Sequence, residues 1–459
     1  MIRSARLIFA ATAFFVVSAA QGVVSATEGV VSAAQGGEPT YHRDVEPLIQ
    51  KHCQDCHRPG QVAPFSLLTY EQARKRGSDI AEIIERRAMP PWPISTTVGG
   101  PFRDARVLAE NEIETIQKWV EADCPEGDAK DAPAARDFAS TWTLGEPDLI
   151  LTPSVPFELG AEGNDEFLVF VVPSGLVEGK WITAIDYRPG NPKIVHHILG
   201  AFDISGAARK KDEAEPGPGF RSFGGFGVLP AGTLGGWAPG KIAHVMPDGV
   251  GKYIPAGADI LLQIHYHKNG KKEKDASSIG LYFSKKPIDK LLRGALVPTG
   301  LEIRNELRHK FRIPKIDAHH EFRANWTATY DAHLIGLTPH MHWLGKDFTL
   351  VATKPDGSKR TLIQVDRWNF NWQGSYEFIE PVAIPRGTRF DLVAHFDNSA
   401  DNPANPHSPP VDVTWGEQTT DEMCIGFLQL TSDAERLGDK PPPMLQGLIM
   451  RARDRNRNR

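Results

Sequence analysis

Pro339-His340-Met341-His342-Trp343-Leu344-Gly345-Lys346 is the stretch on which the reading of the fold turns. Two imidazoles stand at i and i+2, and in a β-strand that spacing presents both on one face, to one ion. Leu262-Gln263-Ile264-His265-Tyr266-His267 repeats the arrangement, with His265 and His267 on one face and Ile264 and Tyr266 on the other. Val195-His196-His197-Ile198 poses a different problem. Neighbours in a regular strand point to opposite faces, so His196 and His197 can share a metal only if the strand twists or bulges there. A fourth element, Asp421-Glu422-Met423-Cys424, opens an apolar run from Ile425 to Leu430. Any single histidine reads as a satisfied or exposed side chain; three paired-His elements in one β region read as ligands.

Working outward, the context of these elements is β. From Trp142 onward, short alternating strands are separated by Gly and Pro turns, the pattern of a β-sandwich. The 459 residues leave room for about three domains of roughly 150 each. With 41% hydrophobic and 24% charged residues, each can bury an ordinary core, which excludes a disordered chain or a collagen-like repeat. A net charge of −5 carries no electrostatic footprint for nucleic acid. Sixteen His against four Cys turns attention from disulfides to histidine ligation.

Upstream, Cys53-Gln54-Asp55-Cys56-His57 is the attachment sequence for c-type haem. Two thiols three apart can add to the two vinyl groups while His57 takes an axial position. Zinc would need a second ligand pair nearby, and a redox-active CxxC is the other alternative. Val45, Leu48 and Ile49 form a helical face before the motif; Ile80, Ile83 and Ile84 mark a second helix, and Ile113, Ile116, Trp119 and Val120 a third. Met89, held by Pro90 and Pro91, suits a sixth ligand, with His52 and His42 as rivals. Residues 40–124 thus resemble a small all-α class I cytochrome c domain, followed by an Ala-, Asp- and Pro-rich linker over 125–145.

The chain opens with Arg3 and Arg6, an apolar run from Leu7 to Ala20, and small residues at Val17-Ser18-Ala19, which reads as a signal peptide over 1–20 and a periplasmic or secreted protein. No later run reaches the roughly eighteen apolar residues of a spanning helix, so no stable membrane insertion is expected. Three near-identical heptapeptides, Val16–Gly22, Val23–Gly29 and Val30–Gly36, lead through a linker that ends at 39. Arg451, Arg453, Arg455, Arg457 and Arg459 make a basic tail within 438–459, expected to be solvated and disordered.

The order His196-His197, then His265-Tyr266, then His340-x-His342-x-Leu344-Gly345-Lys346, then Asp421-Glu422-Met423-Cys424 resembles the copper type II, ascorbate-dependent monooxygenases, the family of peptidylglycine α-hydroxylating and dopamine β-monooxygenases. Trp237-Ala238, Pro247-Asp248-Gly249-Val250-Gly251 and Val413-Thr414-Trp415-Gly416 fall in family order too, so the likeness covers about 145–435. It implies two successive jelly-roll-like β-sandwiches, here 146–305 and 306–437, each holding one copper. By the same resemblance His196, His197 and His265 hold an electron-transfer copper, and His340, His342 and Met423 the oxygen-activating one. Imidazole supports both oxidation states, and a soft thioether favours Cu(I), the state that meets dioxygen.

The expected activity is therefore hydroxylation of a C–H bond in a small organic substrate with dioxygen. Its two electrons come from an ascorbate-like reductant or a redox protein, passed through the fused haem. Where peptidylglycine enzymes carry an Arg two residues before His-x-His, this chain has Thr338, and Ile425 and Phe427 follow Met423, so the substrate pocket is expected to be more apolar. The family's disulfides are missing, which leaves Cys124 and Cys424 free or as one long-range pair. His267 is a further ligand or a partner of one; His395 is a partner or core residue; His244, His319, His320, His333 and His407 belong to loops or surfaces. Two other classes fit the same residues: a non-catalytic haem and copper electron carrier, and a copper-binding or sensing module.

Overall fold

The computed structural model describes residues 37–138, 142–223, 225–443 and 445. The expected signal peptide, nearly all of the heptapeptide linker and most of the basic tail lie outside them. The compact unit described below begins at Pro39. It is mostly β, and no helix among the described residues is long and apolar enough to cross a membrane.

The first sandwich is built around the strand Asp259–Tyr266, which is buried on both faces. Period-two alternation explains how. Ile260, Leu262, Ile264 and Tyr266 point into the main core, where they meet Ile182, Tyr187, Ile279 and Leu281 of the opposing sheet. Leu261, Gln263 and His265 take the other face. There Leu261 packs with Val169 and Phe220, and Gln263 donates to the carbonyls of Ser222 and Gly225 at 3.2 and 2.7 Å. This strand sits at the centre of a five-stranded sheet, between Glu166–Pro173 and Val195–Asp203.

The second sandwich pairs a four-stranded sheet, ordered Arg293–Val297, Cys424–Ser432, Ala332–Met341, Tyr376–Ile384, with a five-stranded one. Leu337 and Met341 point into its core with Phe348, Leu392 and Leu428, so the alternate residues Thr338 and His340 are turned to the outer face. Gly345 has a packing reason: a Cβ there would lie 2.6 Å from Trp368 and 3.0 Å from Met341.

Two segments cross the boundaries expected from sequence. Arg293–Val297 pairs with Cys424–Ser432, so the second sandwich begins before residue 306. Ile94–Gly99, expected inside an all-α region, is a strand at the edge of the second sandwich, paired with Lys359–Val365. Helices do cluster on either side of it, Glu46–His52, Tyr70–Arg74, Gly77–Glu85 and Glu110–Glu121, around Tyr41, Ile49, Ile84, Ile116 and Trp119. The part of the expected linker before residue 139 folds back on them: the Pro125 carbonyl accepts from Tyr41 N at 2.9 Å and Trp119 Nε1 at 3.0 Å.

Ile94 is buried within the second sandwich's core at 4% exposure. Ile94→Ala should therefore cost about 2–5 kcal/mol in urea unfolding followed by sheet circular dichroism. A loss below about 0.5 kcal/mol would show that the strand is not part of that core.

Candidate metal centres

His265 and His197 face each other across the antiparallel pair Asp259–Tyr266 and Val195–Asp203, and the next pairing is Tyr266 with Val195. His196 is the residue left over. The register shift at that point is the bulge that two adjacent histidines require to reach one point. His196 Nδ1 lies 3.2 Å from His197 Nδ1 and 3.1 Å from His265 Nδ1. Donor atoms of the three residues all fall within 4.8 Å of one another, a group that could hold a metal ion.

The proton positions support that use. His265 Nε2 donates to Asp165 at 2.8 Å, which leaves its Nδ1 as a lone pair pointing at the cluster. Burial lowers His196 to about 3 and His197 far below the usual imidazole range, with the neighbouring imidazoles adding to the effect. Burial alone would raise the Asp165 carboxyl; hydrogen bonds and charges from His265 and His267 overcome it and hold it low. His267, exposed and 3.0 Å from Asp165 through Nδ1, supports the carboxylate and stands outside the three-nitrogen group.

The second centre lies where Ala332–Met341 and Cys424–Ser432 end together, with Met341 opposite Cys424. One step further along, His342 and Met423 leave the adjacent strand ends. His340 Nδ1 donates to Gln373 Oε1 at 2.5 Å, and Gln373 Nε2 donates to the Phe370 carbonyl, which settles the direction of the amide. His342 Nδ1 donates to the Asp421 carbonyl at 3.1 Å. Both imidazoles thus keep Nε2 as the lone pair, and the rings sit 5.2 Å apart and nearly perpendicular. Burial lowers His340 to about 3 and His342 to about 4, so both are neutral at pH 7. Glu422 fastens the corner: its carboxyl, pushed up by burial to about 8, accepts from the amides of His342, Leu344 and Met423 at 2.9, 2.6 and 3.1 Å.

One side chain lies against both centres. Phe370 stacks on His196 (5.5 Å, 19°) and meets His342 edge-on (6.1 Å, 90°), with Trp343 packed against it at 4.6 Å. Its neighbour Trp368 donates through Nε1 to the His342 carbonyl at 2.8 Å. The two centres therefore share a wall.

Near the N-terminus, Cys53 and Cys56 are free thiols, both raised by burial, with Arg106 partly opposing the effect at Cys56. His57 Nδ1 donates to the Phe65 carbonyl at 3.2 Å, which again leaves Nε2 as the lone pair. Met89 borders a cavity of about 310 Å³ with Ile84, Trp92, Arg106, Leu108 and Ile113. Its rivals are engaged elsewhere, His42 with Glu46 at 2.7 Å and His52 with Glu112 at 3.3 Å. Cys124 and Cys424 are also unpaired, and burial raises the Cys424 thiol far above its ordinary range.

Of the remaining histidines, His395 bonds Asp347 at 2.7 Å and His319 packs against it; His320, His333 and His407 bond Asp317, Asp433 and the Thr420 carbonyl, and His244 pairs with Asp104. Sequence reading missed Asp165, Gln373 and Phe370.

No family model matches the chain, and no curated protein does. Among solved structures, the infectious bursal disease virus VP2 subviral particle aligns with 65% of this chain and 74% of its own, at 12% identity and a TM-score of 0.16. The CBM22-1–CBM22-2 tandem domain of Paenibacillus barcinonensis Xyn10C aligns with 64% and 99%, at 8% identity and a TM-score of 0.15. Likeness of that degree carries no argument.

Asp165→Ala should weaken metal binding at the three-histidine centre by about 10–100-fold in a chelator competition, because no side chain at 165 then accepts the Nε2 proton of His265 and holds its Nδ1 inward. Binding at His340 and His342 should not change. Unaltered affinity at the first centre would remove Asp165 from this role.

Proposed function

We propose that this chain is an exported dicopper monooxygenase that hydroxylates a C–H bond of a small, largely apolar organic substrate, fed with electrons through a covalently attached c-type haem. The observation that carries the reading is the pairing of two unlike donor sets across Phe370. One offers three Nδ1 atoms; the other offers two Nε2 atoms at the strand end that also carries the Met423 thioether. Burial holds His196, His197, His340 and His342 neutral, and the partners of His265, His340 and His342 leave their inward nitrogens unprotonated, which suits copper in either oxidation state. Copper bound there would supply one-electron redox chemistry and the activation of dioxygen.

The chain's own residues have separate duties. Asp165, Gln373 and the Asp421 carbonyl hold each imidazole in one tautomer. Glu422 keeps His342 and Met423 at adjoining strand ends. Phe427, 40% exposed and 6.1 Å from the His340 ring, offers the apolar surface on which a substrate would rest. Phe370 lies against His196 and His342 and so contacts both centres.

For a haem, the residues fit as a donor set. Two unpaired thiols are followed by an imidazole whose Nδ1 is committed to a carbonyl. Met89 borders a cavity of mixed lining, with Ile84, Trp92, Leu108 and Ile113 beside Arg87, Glu110 and Arg106, and Arg106 also acts on Cys56. Cys53, Cys56, His57 and Met89 would hold the group, and it would supply single electrons. A pure electron carrier is the second reading, favoured by the contact of both centres with one ring; the exposed Phe427 beside His340 favours catalysis.

Purified protein should contain one haem and two coppers per chain, and Met423→Ala should abolish oxygen uptake. Fewer than two tightly bound coppers, with His340→Ala leaving the metal content unchanged, would refute the proposal. Met89→Leu should leave the haem attached and lower its reduction potential, because the thioether stabilises ferrous iron. An unchanged absorption spectrum and potential would exclude Met89 as a ligand.

A further inference from the structure

The segment that follows Met89 makes its backbone pairing and ring contacts with the second sandwich. Pro93 accepts from Asp366 N at 3.2 Å, Ile94–Gly99 pairs with Lys359–Val365, and Phe102 bridges to Phe378. Arg103 continues the contact, its amide donating to the Glu377 carbonyl and its guanidinium to the carbonyls of Phe378 and Ile379. Along this seam Trp92 meets Tyr376 edge-on at 5.3 Å, and Phe102 packs against the same ring at 5.5 Å. Trp92 shares its cavity with Met89. Among the described residues, no ring between 41 and 108 meets a ring of the first sandwich; the contacts there are His244 with Asp104 and Gly240 with Arg106.

Beyond Tyr376 the connections run to the second centre. Ser375 Oγ and Thr338 Oγ1 are hydrogen-bonded at 2.7 Å, two residues before His340, and Gln373, three residues before Tyr376, holds His340 Nδ1 at 2.5 Å. From there Phe370 spans His342 and His196.

We infer that electrons enter the copper pair at the His340/His342/Met423 centre, through Trp92 and Tyr376, and reach the three-histidine centre afterwards by way of Phe370. The inference rests on the dicopper and haem reading above and adds an order to it. Each transfer moves one electron from ferrous haem to a cupric ion, giving ferric haem and cuprous ion, with no bond made and no proton moved. Two successive one-electron reductions of the haem by an ascorbate-like reductant or a redox protein supply both coppers. Trp92 and Tyr376, in direct edge-to-face contact at 5.3 Å, act as the coupling between the two regions.

The test uses the full chain loaded with haem and copper, without oxygen, with the haem reduced by a light flash and its reoxidation followed in the visible bands. Haem content from absorbance and Cu(II) content from electron paramagnetic resonance are read first for every variant. His196→Ala, which empties the first centre, should leave the first electron transfer at the native rate, whereas His340→Ala should slow it at least about tenfold. Trp92→Leu and Tyr376→Leu should slow it similarly, and Tyr376→Phe, which keeps the ring, should restore it. Phe370→Leu should spare the first electron and delay the second.

A native rate in His340→Ala, or in Trp92→Leu with full haem and copper, overturns the route and leaves the proposed function standing. A native chain that takes up no haem or no copper overturns the proposed function, and the route with it.

Discussion

One extra residue in a β-ladder sets the three-histidine cluster, the first candidate metal centre. In an even pairing of Val195–Asp203 with Asp259–Tyr266, His196 and His197 would lie on opposite faces, one of them pressed into the core beside Ile264 and Tyr266. The shift between His265 and Tyr266 lets His196 turn to the face that His197 and His265 already occupy. It also exposes His196 to Phe370, and so joins the first centre to the second. The surroundings are those such a bulge demands. The central strand is buried on both faces and held between two long neighbours, so the irregularity has a rigid frame around it.

Proton placement is the second constraint, and each centre meets it in a different way. At the first, a carboxylate takes the Nε2 proton of His265 and Nδ1 faces inward. At the second, an amide oxygen and a backbone carbonyl take the Nδ1 protons, and Nε2 becomes available. An imidazole bonded through one nitrogen to a group that can only accept is fixed in tautomer, so the lone pairs are in place before any ligand arrives. His57, donating to the Phe65 carbonyl, follows the same rule. Burial then keeps His196, His197, His340 and His342 neutral, so that their inward nitrogens can serve as ligands.

The β class, the shared face of His340 and His342 and the need for a bulge at His196-His197 were all legible in the sequence, because they depend on periodicities of a few residues. Asp165 was not. It is an ordinary loop aspartate 100 residues from His265, and only the pairing of Glu166–Pro173 with Asp259–Tyr266 brings the two together. Gln373 and Phe370 lie in a short Asn- and Trp-rich loop with no periodic signal, and their roles arise from where that loop crosses the strand ends. Ile94–Gly99 left a weak trace: Ile94, Thr96, Thr97 and Val98 are β-branched. Its position between helices, with four of six residues exposed, hid a pairing whose partner lies more than two hundred residues away.

That pairing changes how the chain is best divided. Read as three beads on a string, the helical region would be free to move and its distance from either sandwich would depend on linker length. With Ile94 in the second sandwich's core and Arg103 bonded to three carbonyls along Tyr376–Ile384, the region can move only by breaking a sheet edge and exposing apolar surface. The linker before residue 139 is itself tied to the helices through Pro125 and Arg136, so slack is taken up on that side as well. The helices, Trp92 and Tyr376 thus hold fixed separations from the second centre, and Phe370 extends the same rigid contact to the first. Separations between groups in this chain are set by packing, and a function that depends on them is built into the core.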